Sequence, residues 1–391
     1  MSKKTILLIA PLEHRSGFGE HARDIYEKIK EGYDMCLLNI NAYDPVISTG
    51  YKYVTRDEIK KEYDVLMTVC TIDNMHALNF AAGNKIKFNK KINISAGIES
   101  YKVTPQWAEA AVYYDSIITS SEHSKQTFIA AGVDESKLFV VPEGIDLERY
   151  FKDDSEPLFP LPVDKKIILT AGQIGLGGPE EERKGIWLLI REFYKEFKED
   201  SDVLLVAKIR HMNYNSGDLE EIENKVKLFK KDSKASVLIV HGELSLEEFR
   251  KLYSHPSVKA CAYPTCGEGY GRHIIESAAC EKLIIAPWKT GQKDFLLQDC
   301  ILELDSERKP VADVYKMNMP IFFGADAEWE NVVPSSLRKT LRKAIEEDAP
   351  QEKIKKQYNF IKSNHETKAC FDLFEKTIED ITKEVKEDEE S

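Results

Sequence analysis

The sequence predicts two doubly wound α/β domains in tandem, each a parallel sheet covered by helices on both faces and both facing a central cleft. Three observations carry this. Apolar runs of strand length alternate with segments of helical spacing along both halves of the chain. A break containing Pro157, Pro160 and Pro162 interrupts the alternation, which then restarts. Glycine-rich segments at 17–19, 172–178 and 267–271 stand where expected strands give way to helices. Doubly wound sheets bind their ligands at such places.

The elements follow in order. Residues 6–10 are continuously apolar, as a strand covered on both faces must be. Residues 22–29 place Ala22, Ile25, Tyr26 and Ile29 on one helical face. Strands are expected at 35–40, 65–69 and 92–95, a helix at 106–113, a strand at 116–119, a helix at 124–131 and a strand at 138–141. The linker is expected within 151–164, giving domains at 1–157 and 163–365. The second domain then shows strands at 166–171, 203–209, 237–240, 259–263 and 283–286, with helices at 186–197 and 246–253. It repeats the architecture of the first half without repeating its sequence. A last helix is expected over 370–385, within a closing segment 366–391 that ends in an acidic tail.

Composition narrows the function. With 42% hydrophobic and 10% aromatic residues the chain has ample material for packed cores. Its formal net charge of −12 argues against tight nonspecific binding to nucleic acid, which needs a basic footprint. Seven cysteines, an odd number without Cys-x-x-Cys spacing, fit buried thiols in a reducing, cytoplasmic setting and give no zinc site. The apolar run at 5–11 is too short for a membrane span or a signal segment, so no transmembrane segment is expected.

The most informative stretch is 265–280. A buried strand runs into a turn holding Gly267, Gly269 and Gly271, after which Ile274, Ile275, Ala278 and Ala279 take helical spacing. Glu268 lies on the loop and Glu276, eight residues on, in the first turns of the helix. Backbone N–H groups and a helix N-terminus beside an acidic side chain suit a ligand with phosphates at one end and hydroxyls at the other. A glutamate near a helix start can also simply complement the macrodipole, and Glu276 alone fits both roles. Glu268, set between glycines in a tight turn, has no packing role to fill.

Glu268-Gly269-Tyr270-Gly271, followed by Glu276 and Ala278-Ala279-Cys280, resembles the signature of the retaining glycosyltransferases of family 4. The resemblance implies the GT-B arrangement of two Rossmann-like domains. It places the donor site in the C-terminal domain and the acceptor side in the N-terminal one, with the last helix crossing back to the first domain. It implies that Glu268 contacts hydroxyls of the donor sugar, that Glu276 binds ribose hydroxyls, and that Gly269, Tyr270 and Gly271 present backbone amides. The family clamps the leaving diphosphate with a lysine before a glycine, matched by Lys184-Gly185, and with an arginine just after the preceding strand. Gln173 stands where that arginine belongs. Arg183, Lys208 or Arg210 is expected to supply the charge, and Lys184, Glu268 and Arg183 form the expected catalytic set. The competing reading has Arg183 and Lys184 merely balancing Glu180, Glu181 and Glu182.

The remaining segments carry weaker signals. Gly17-x-Gly19-x-x-Ala22 imitates a dinucleotide fingerprint, but the expected second strand ends without the acid that would hold an adenosine ribose. The resemblance instead makes Gly17 and Gly19 members of a loop leaning over the diphosphate, with Arg15 and His21 facing the cleft. Glu99 stands where some relatives use a histidine, and Arg272 and His273 are expected to shape the sugar pocket. Lys85, Lys87, Lys90 and Lys91, interleaved with Phe80 and Phe88, read as a solvated basic loop, with a phosphate-bearing acceptor or a membrane surface as the alternative. No Asp-x-Asp pair closes an expected strand, so no metal and no cofactor is expected beyond a nucleoside-diphosphate sugar as co-substrate. The expected activity is transfer of a hexosyl or pentosyl group to a glycan, a lipid or a hydroxymethylated DNA base. A nicotinamide-dependent oxidoreductase and a noncatalytic sugar-nucleotide binder are the rivals.

Overall fold

The computed structural model describes residues 3–14, 17–40, 47–72, 75–95, 97–155, 158–211 and 218–383. The chain divides into two compact units, Met1–Gly144 with Lys368–Ser391, and Ile145–Thr367.

The first unit contains β1 (Thr5–Ala10), α1 (Gly17–Ile29), β2 (Asp34–Asn39), β3 (Glu62–Val69), α2 (His76–Gly83), β4 (Lys87–Ile94), α3 (Pro105–Ala111), β5 (Ser116–Thr119), α4 (Glu122–Ala130) and β6 (Leu138–Val140). Its six strands run in the order β2-β1-β3-β4-β5-β6, and every pairing is parallel. Strand alternation splits β1 between two cores. Ile6, Leu8 and Ala10 pack with Ala22, Ile25 and Ile29 of α1, while Leu7 and Ile9 pack with Leu66 and with Ala77 of α2. With both faces covered, the five positions from Ile6 to Ala10 are all apolar and buried.

The expectation of a solvated basic loop near 85–91 is corrected here. The segment from 76 to 94 is helix α2 followed by strand β4. Lys87, Lys90 and Lys91 lie within the first five residues of that strand, and only Ile92 and Ile94 are buried apolar residues. The sheet, rather than local apolar pattern, holds this part of the strand extended: Val65 and Leu66 of β3 pair with Lys90 and Lys91.

The second unit contains β7 (Lys166–Ile174), α5 (Ile186–Glu196), β8 (Val203–His211), α6 (Asp218–Lys230), β9 (Ser236–His241), α7 (Leu246–Ser254), β10 (Val258–Ala262), α8 (Arg272–Ala279), β11 (Leu283–Ala286), β12 (Leu302–Glu303), β13 (Ser306–Pro310), α9 (Asp313–Asn318), β14 (Glu328–Val332), α10 (Pro334–Glu346) and α11 (Gln351–Asn364). Six parallel strands run in the order β12-β11-β10-β7-β8-β9, and β13 and β14 form a separate antiparallel pair. One face of the sheet is packed by α5, α6 and α10, the other by α7 and α8. Crossovers leave β7 toward both sides, so the switch point of this sheet lies between the carboxyl ends of β7 and β10.

The boundary between the units falls at Gly144–Ile145, earlier than the expected linker. Ile145, Tyr150 and Leu161 are buried in the core of the second unit, so most of the proline-containing segment belongs to that unit. The chain returns at Thr367–Lys368. Ile145 donates to the His365 carbonyl at 2.8 Å and accepts from the Thr367 N–H at 3.0 Å, which sets the two crossing points side by side. The last helix, α12 (Thr367–Lys383), places Phe371, Phe374, Ile378 and Ile381 in the core of the first unit beside Ile6, Leu8 and Ile25. All seven cysteines are buried free thiols. Among the described residues no helix is long and apolar enough to cross a membrane.

Candidate functional site

The loop from β7 to α5 ends in Lys184 and Gly185. Gly185 takes a left-handed backbone, φ +67°, and a Cβ there would stand 2.0 Å from the Pro264 carbonyl oxygen. Glycine alone meets both demands, and its close approach to Pro264 sets Lys184 against the loop after β10.

Glu182 shapes this loop. It is 1% exposed; its Oε1 accepts from the backbone of Gly175 at 3.2 Å and of Lys184 at 2.9 Å, and its Oε2 accepts from Ile186 at 2.8 Å. Burial pushes its carboxyl above the usual range against the pull of these bonds. At the N-terminus of α5 the Ile186 N–H thus already serves Glu182. Glu182→Gln is expected to destabilise the protein by about 1–3 kcal/mol, because its amide turns a donor toward buried backbone N–H groups. Urea denaturation checks this, and an unchanged midpoint would contradict it.

The preceding acids have partners other than Lys184's ammonium and Arg183's guanidinium. Glu180 pairs with Arg191, Glu181 accepts from the Gly178 N–H at 2.9 Å, and Glu182 is taken by backbone. Lys184 Nζ instead lies 2.7 Å from both carboxylate oxygens of Glu268. Arg183 Nη1 lies 3.7 Å from Glu268 Oε2 and donates to the Gly267 carbonyl at 3.0 Å. Thr265 Oγ1 lies 3.0 Å from Glu268 Oε1. Glu268 is 7% exposed; burial alone would raise its carboxyl, but the charges of Lys184 and Arg183 outweigh burial and hold it below the ordinary range. Its backbone is fixed as well. The Glu268 N–H donates to Thr290 Oγ1 at 3.1 Å, and its carbonyl accepts from the Gly291 N–H at 2.8 Å. A Cβ on Gly291 would stand 2.1 Å from the Gly269 carbonyl oxygen, so that crossing also needs glycine.

Helix α8 begins after Gly271 and carries Glu276, 5% exposed, on its buried side. Glu276 Oε2 lies 3.3 Å from His273 Nδ1 and 3.4 Å from the Tyr253 hydroxyl. Burial works to raise this carboxyl, but His273, with help from the Arg272 charge, lowers it below the ordinary range. Tyr270 is a core residue. Its ring packs 5.2 Å from that of Phe295, and its hydroxyl lies 3.4 Å from His365 Nδ1. Ala171, Lys184, Thr265, Glu268, Gly271 and His273 border one small hollow at the carboxyl ends of β7 and β10, the switch point of the sheet. A larger hollow of about 730 Å³ lies at the amino ends of β10 and β11, where the Lys282 ammonium donates to the His255 and Val258 carbonyls. It is remote from the ligand-binding end of the sheet.

Lys208 and Arg210 stand on β8, paired in register with Ala171 and Gln173. Gln173 is exposed and Lys208 buried, with its ammonium 5.3 Å from the ring centroid of Phe249. Gly17 and Gly19 form the first turn of α1 rather than a loop. A Cβ on Gly19 would stand 2.2 Å from the His14 carbonyl oxygen, so its missing side chain answers to packing within the unit. His21 borders a hollow that also touches Phe371 and Phe374 of α12. Glu99 lies partly buried in the loop after β4, and Arg15 lies outside the described residues. Among the described residues no group of three His, Cys, Asp or Glu side chains is placed to hold a metal ion. Glu182, Tyr253, Phe249 and Thr290 carry no signal of a role in the site along the sequence and reach it through the fold.

The chain matches no protein-family model and no curated protein. Solved structures share its fold at low identity. HepE of Anabaena, solved in complex with UDP and glucose, is 12% identical over 96% of this chain and 100% of that one, with a TM-score of 0.67. Sucrose-phosphate synthase from Thermosynechococcus elongatus is 14% identical over 97% of this chain and 99% of that one, with a TM-score of 0.64. The lipopolysaccharide outer core galactosyltransferase WaaB, in its apo form, is 11% identical over 96% of this chain and 99% of that one, with a TM-score of 0.62. The fold is therefore GT-B, with two parallel six-stranded sheets each flanked by helices.

Proposed function

We propose that this chain is a retaining glycosyltransferase that takes a nucleoside-diphosphate sugar as donor and needs no metal. The observation that carries the reading is the pairing of Lys184 with Glu268 at the switch point of the second unit, with Glu276 buried on the adjoining helix. A cation and two carboxylates held there fit a ligand that joins a diphosphate to two hydroxylated rings.

In this reading a donor entering the site takes over one partner of the ion pair. Lys184 exchanges a Glu268 oxygen for an oxygen of the diphosphate, and Glu268 accepts from hydroxyls of the sugar. Glu276 accepts from the ribose. The bond from the anomeric carbon to the diphosphate breaks, and a bond from that carbon to the acceptor oxygen forms on the same face. The acceptor proton passes to the departing phosphate. Charge builds on the diphosphate as its bond breaks, and Lys184, already in place, stabilises that charge without reorganising. Arg183, tied to the Gly267 carbonyl, holds positive charge beside the same carboxylate.

HepE has been solved with UDP-glucose as well as with UDP, which makes UDP-glucose the first donor to test. The acceptor is a hydroxyl of a glycan, a lipid or a modified base; a net charge of −12 weighs against the last. A nicotinamide oxidoreductase is not favoured, because Gly17 and Gly19 sit in a helical turn rather than a phosphate-binding loop. The test is release of nucleoside diphosphate from nucleotide sugars in excess EDTA, with acceptor mixtures and with water as the acceptor of last resort. Turnover in EDTA, with the donor's anomeric configuration kept in the product, is expected. Turnover that disappears in EDTA and returns with manganese or magnesium would contradict the metal-free mechanism, and a donor that binds without turnover would make the chain a binder only.

A further inference from the structure

The second unit carries an appendage that a doubly wound sheet does not need. The hairpin β13–β14 joins neither six-stranded sheet, and α9 lies in the chain between its strands. The appendage closes over a core of its own. There the rings of Tyr315, Phe323 and Trp329 meet edge to face at centroid distances of 5.1–5.8 Å, each ring at most 3% exposed. The same core takes in Leu176 from the loop after β7 and Cys266 from the loop after β10. These two loops carry Lys184 and Glu268.

The appendage grips both loops by their backbone. The Glu330 N–H donates to the Cys266 carbonyl at 2.8 Å, and the Asn331 side-chain amide donates to the Glu180 carbonyl at 3.1 Å. The Tyr315 hydroxyl accepts from the Arg183 N–H at 3.2 Å. The Arg183 carbonyl accepts in turn from the Cys266 N–H at 2.7 Å. The peptide groups on both sides of Arg183 are therefore held, and the next residue is Lys184. Gly175 makes room for this arrangement, since a Cβ there would stand 2.1 Å from the Tyr315 hydroxyl oxygen. A core of rings gives no reason for that hydroxyl, because phenylalanine would fill the same volume. The donor that the hydroxyl accepts from lies on the loop. Burial pushes the Tyr315 phenol up to about 12, so it stays neutral across the neutral pH range.

We propose that Tyr315 is a positioning residue of the donor site: its hydroxyl, through the Arg183 N–H, fixes where Lys184 stands against Glu268. This rests on the donor reading of Lys184 given above. Lys184 Nζ lies 2.7 Å from both oxygens of Glu268, a placement that depends on where its backbone is set. Charge on a departing diphosphate grows as its bond breaks, so a displaced cation loses more in the transition state than in the bound ground state. Loss of the hydroxyl should therefore show in turnover before it shows in binding.

Tyr315→Phe removes the hydroxyl and keeps the ring in its core. UDP-, GDP- and ADP-glucose are offered to the wild-type chain, and the one turned over fastest serves for every variant. With it, Y315F is expected to lower kcat about tenfold or more while the donor KM stays within about twofold of wild type. Ile345→Val is the control: it loosens the core past the Arg342–Glu196 pair, at the far end of α5 from Lys184. It is expected to lower the thermal midpoint and leave kcat unchanged. A double-mutant cycle on the thermal midpoint needs no donor. Tyr315→Phe is expected to lower the midpoint less in K184A than in the wild type, because the lysine it places is gone. Wild-type kcat in Y315F, a fall in kcat shared by Ile345→Val, or additive midpoints overturns the proposal. A wild-type chain that turns over none of the three donors overturns the donor reading itself. The cycle then decides alone: coupled midpoints keep Tyr315 as the residue that places Lys184, and additive ones overturn that as well.

Discussion

Lys184→Ala is expected to lower turnover about 10²-fold, the scale of losing one preorganised charge stabiliser, and to affect donor affinity less. The reason lies in timing. The ammonium meets a diphosphate whose charge grows as the glycosidic bond breaks, so it is worth more in the transition state than in the bound ground state. The substitution has a second effect, on the free protein. Lys184 is the nearest cation to a buried carboxylate, with Arg183 farther off at 3.7 Å. Removing one partner of such a pair typically costs about 3–5 kcal/mol. The sign of its pH dependence follows. In the wild type Glu268 is held below its ordinary 4.5, so the pair contributes fully above that pH and is lost as pH falls through the lowered value. In K184A, burial is expected to outweigh the remaining pull of Arg183 and Thr265 and to push the carboxyl up; the penalty is then absent below about 4.5 and grows as pH rises above it. The gap in thermal midpoint between K184A and wild type should therefore narrow on acidification from pH 7 toward 5. A gap that widens would sink the ion-pair account, and turnover near wild type would remove Lys184 from the mechanism.

Glu276→Gln is expected to weaken nucleotide binding roughly ten- to a hundredfold, since a hydrogen bond to a charged acceptor is worth about 1.5–3 kcal/mol. Glutamine keeps the volume of a side chain that is 5% exposed, so a loss of affinity cannot be put down to a cavity. His273 Nδ1 and the Tyr253 hydroxyl both reach one oxygen of the carboxylate, Oε2. Calorimetry on the folded variant decides it, and wild-type affinity would show that Glu276 serves only to anchor α8.

What could be read from the sequence follows from where the information lies. The buried strands were legible because parallel strands covered on both faces are continuous apolar runs: β1 places five of its six residues in the core. Helix α6 was not legible, because Ile222, Val226 and Phe229 are its main inward-facing apolar residues among charged ones, and the fold rather than the pattern specifies it. The linker was misplaced because prolines mark irregular chain, and irregular chain can still be packed, as Leu161 is. In the site, Glu268, Glu276 and Lys184-Gly185 stood out because glycines announce a backbone that comes close to something, and Gly185 does so at Pro264. The second layer was silent. Glu182 reads as one acid in a run of three until the loop folds around it, and Thr290 reaches Glu268 from 22 residues away.

The most direct test of the donor site is calorimetric titration of the intact chain with UDP, GDP, ADP and NAD. The account predicts saturable binding of at least one nucleoside diphosphate at one site per chain, weakened in Glu276→Gln, with no binding of NAD. Binding of NAD with no response to any nucleoside diphosphate would contradict it.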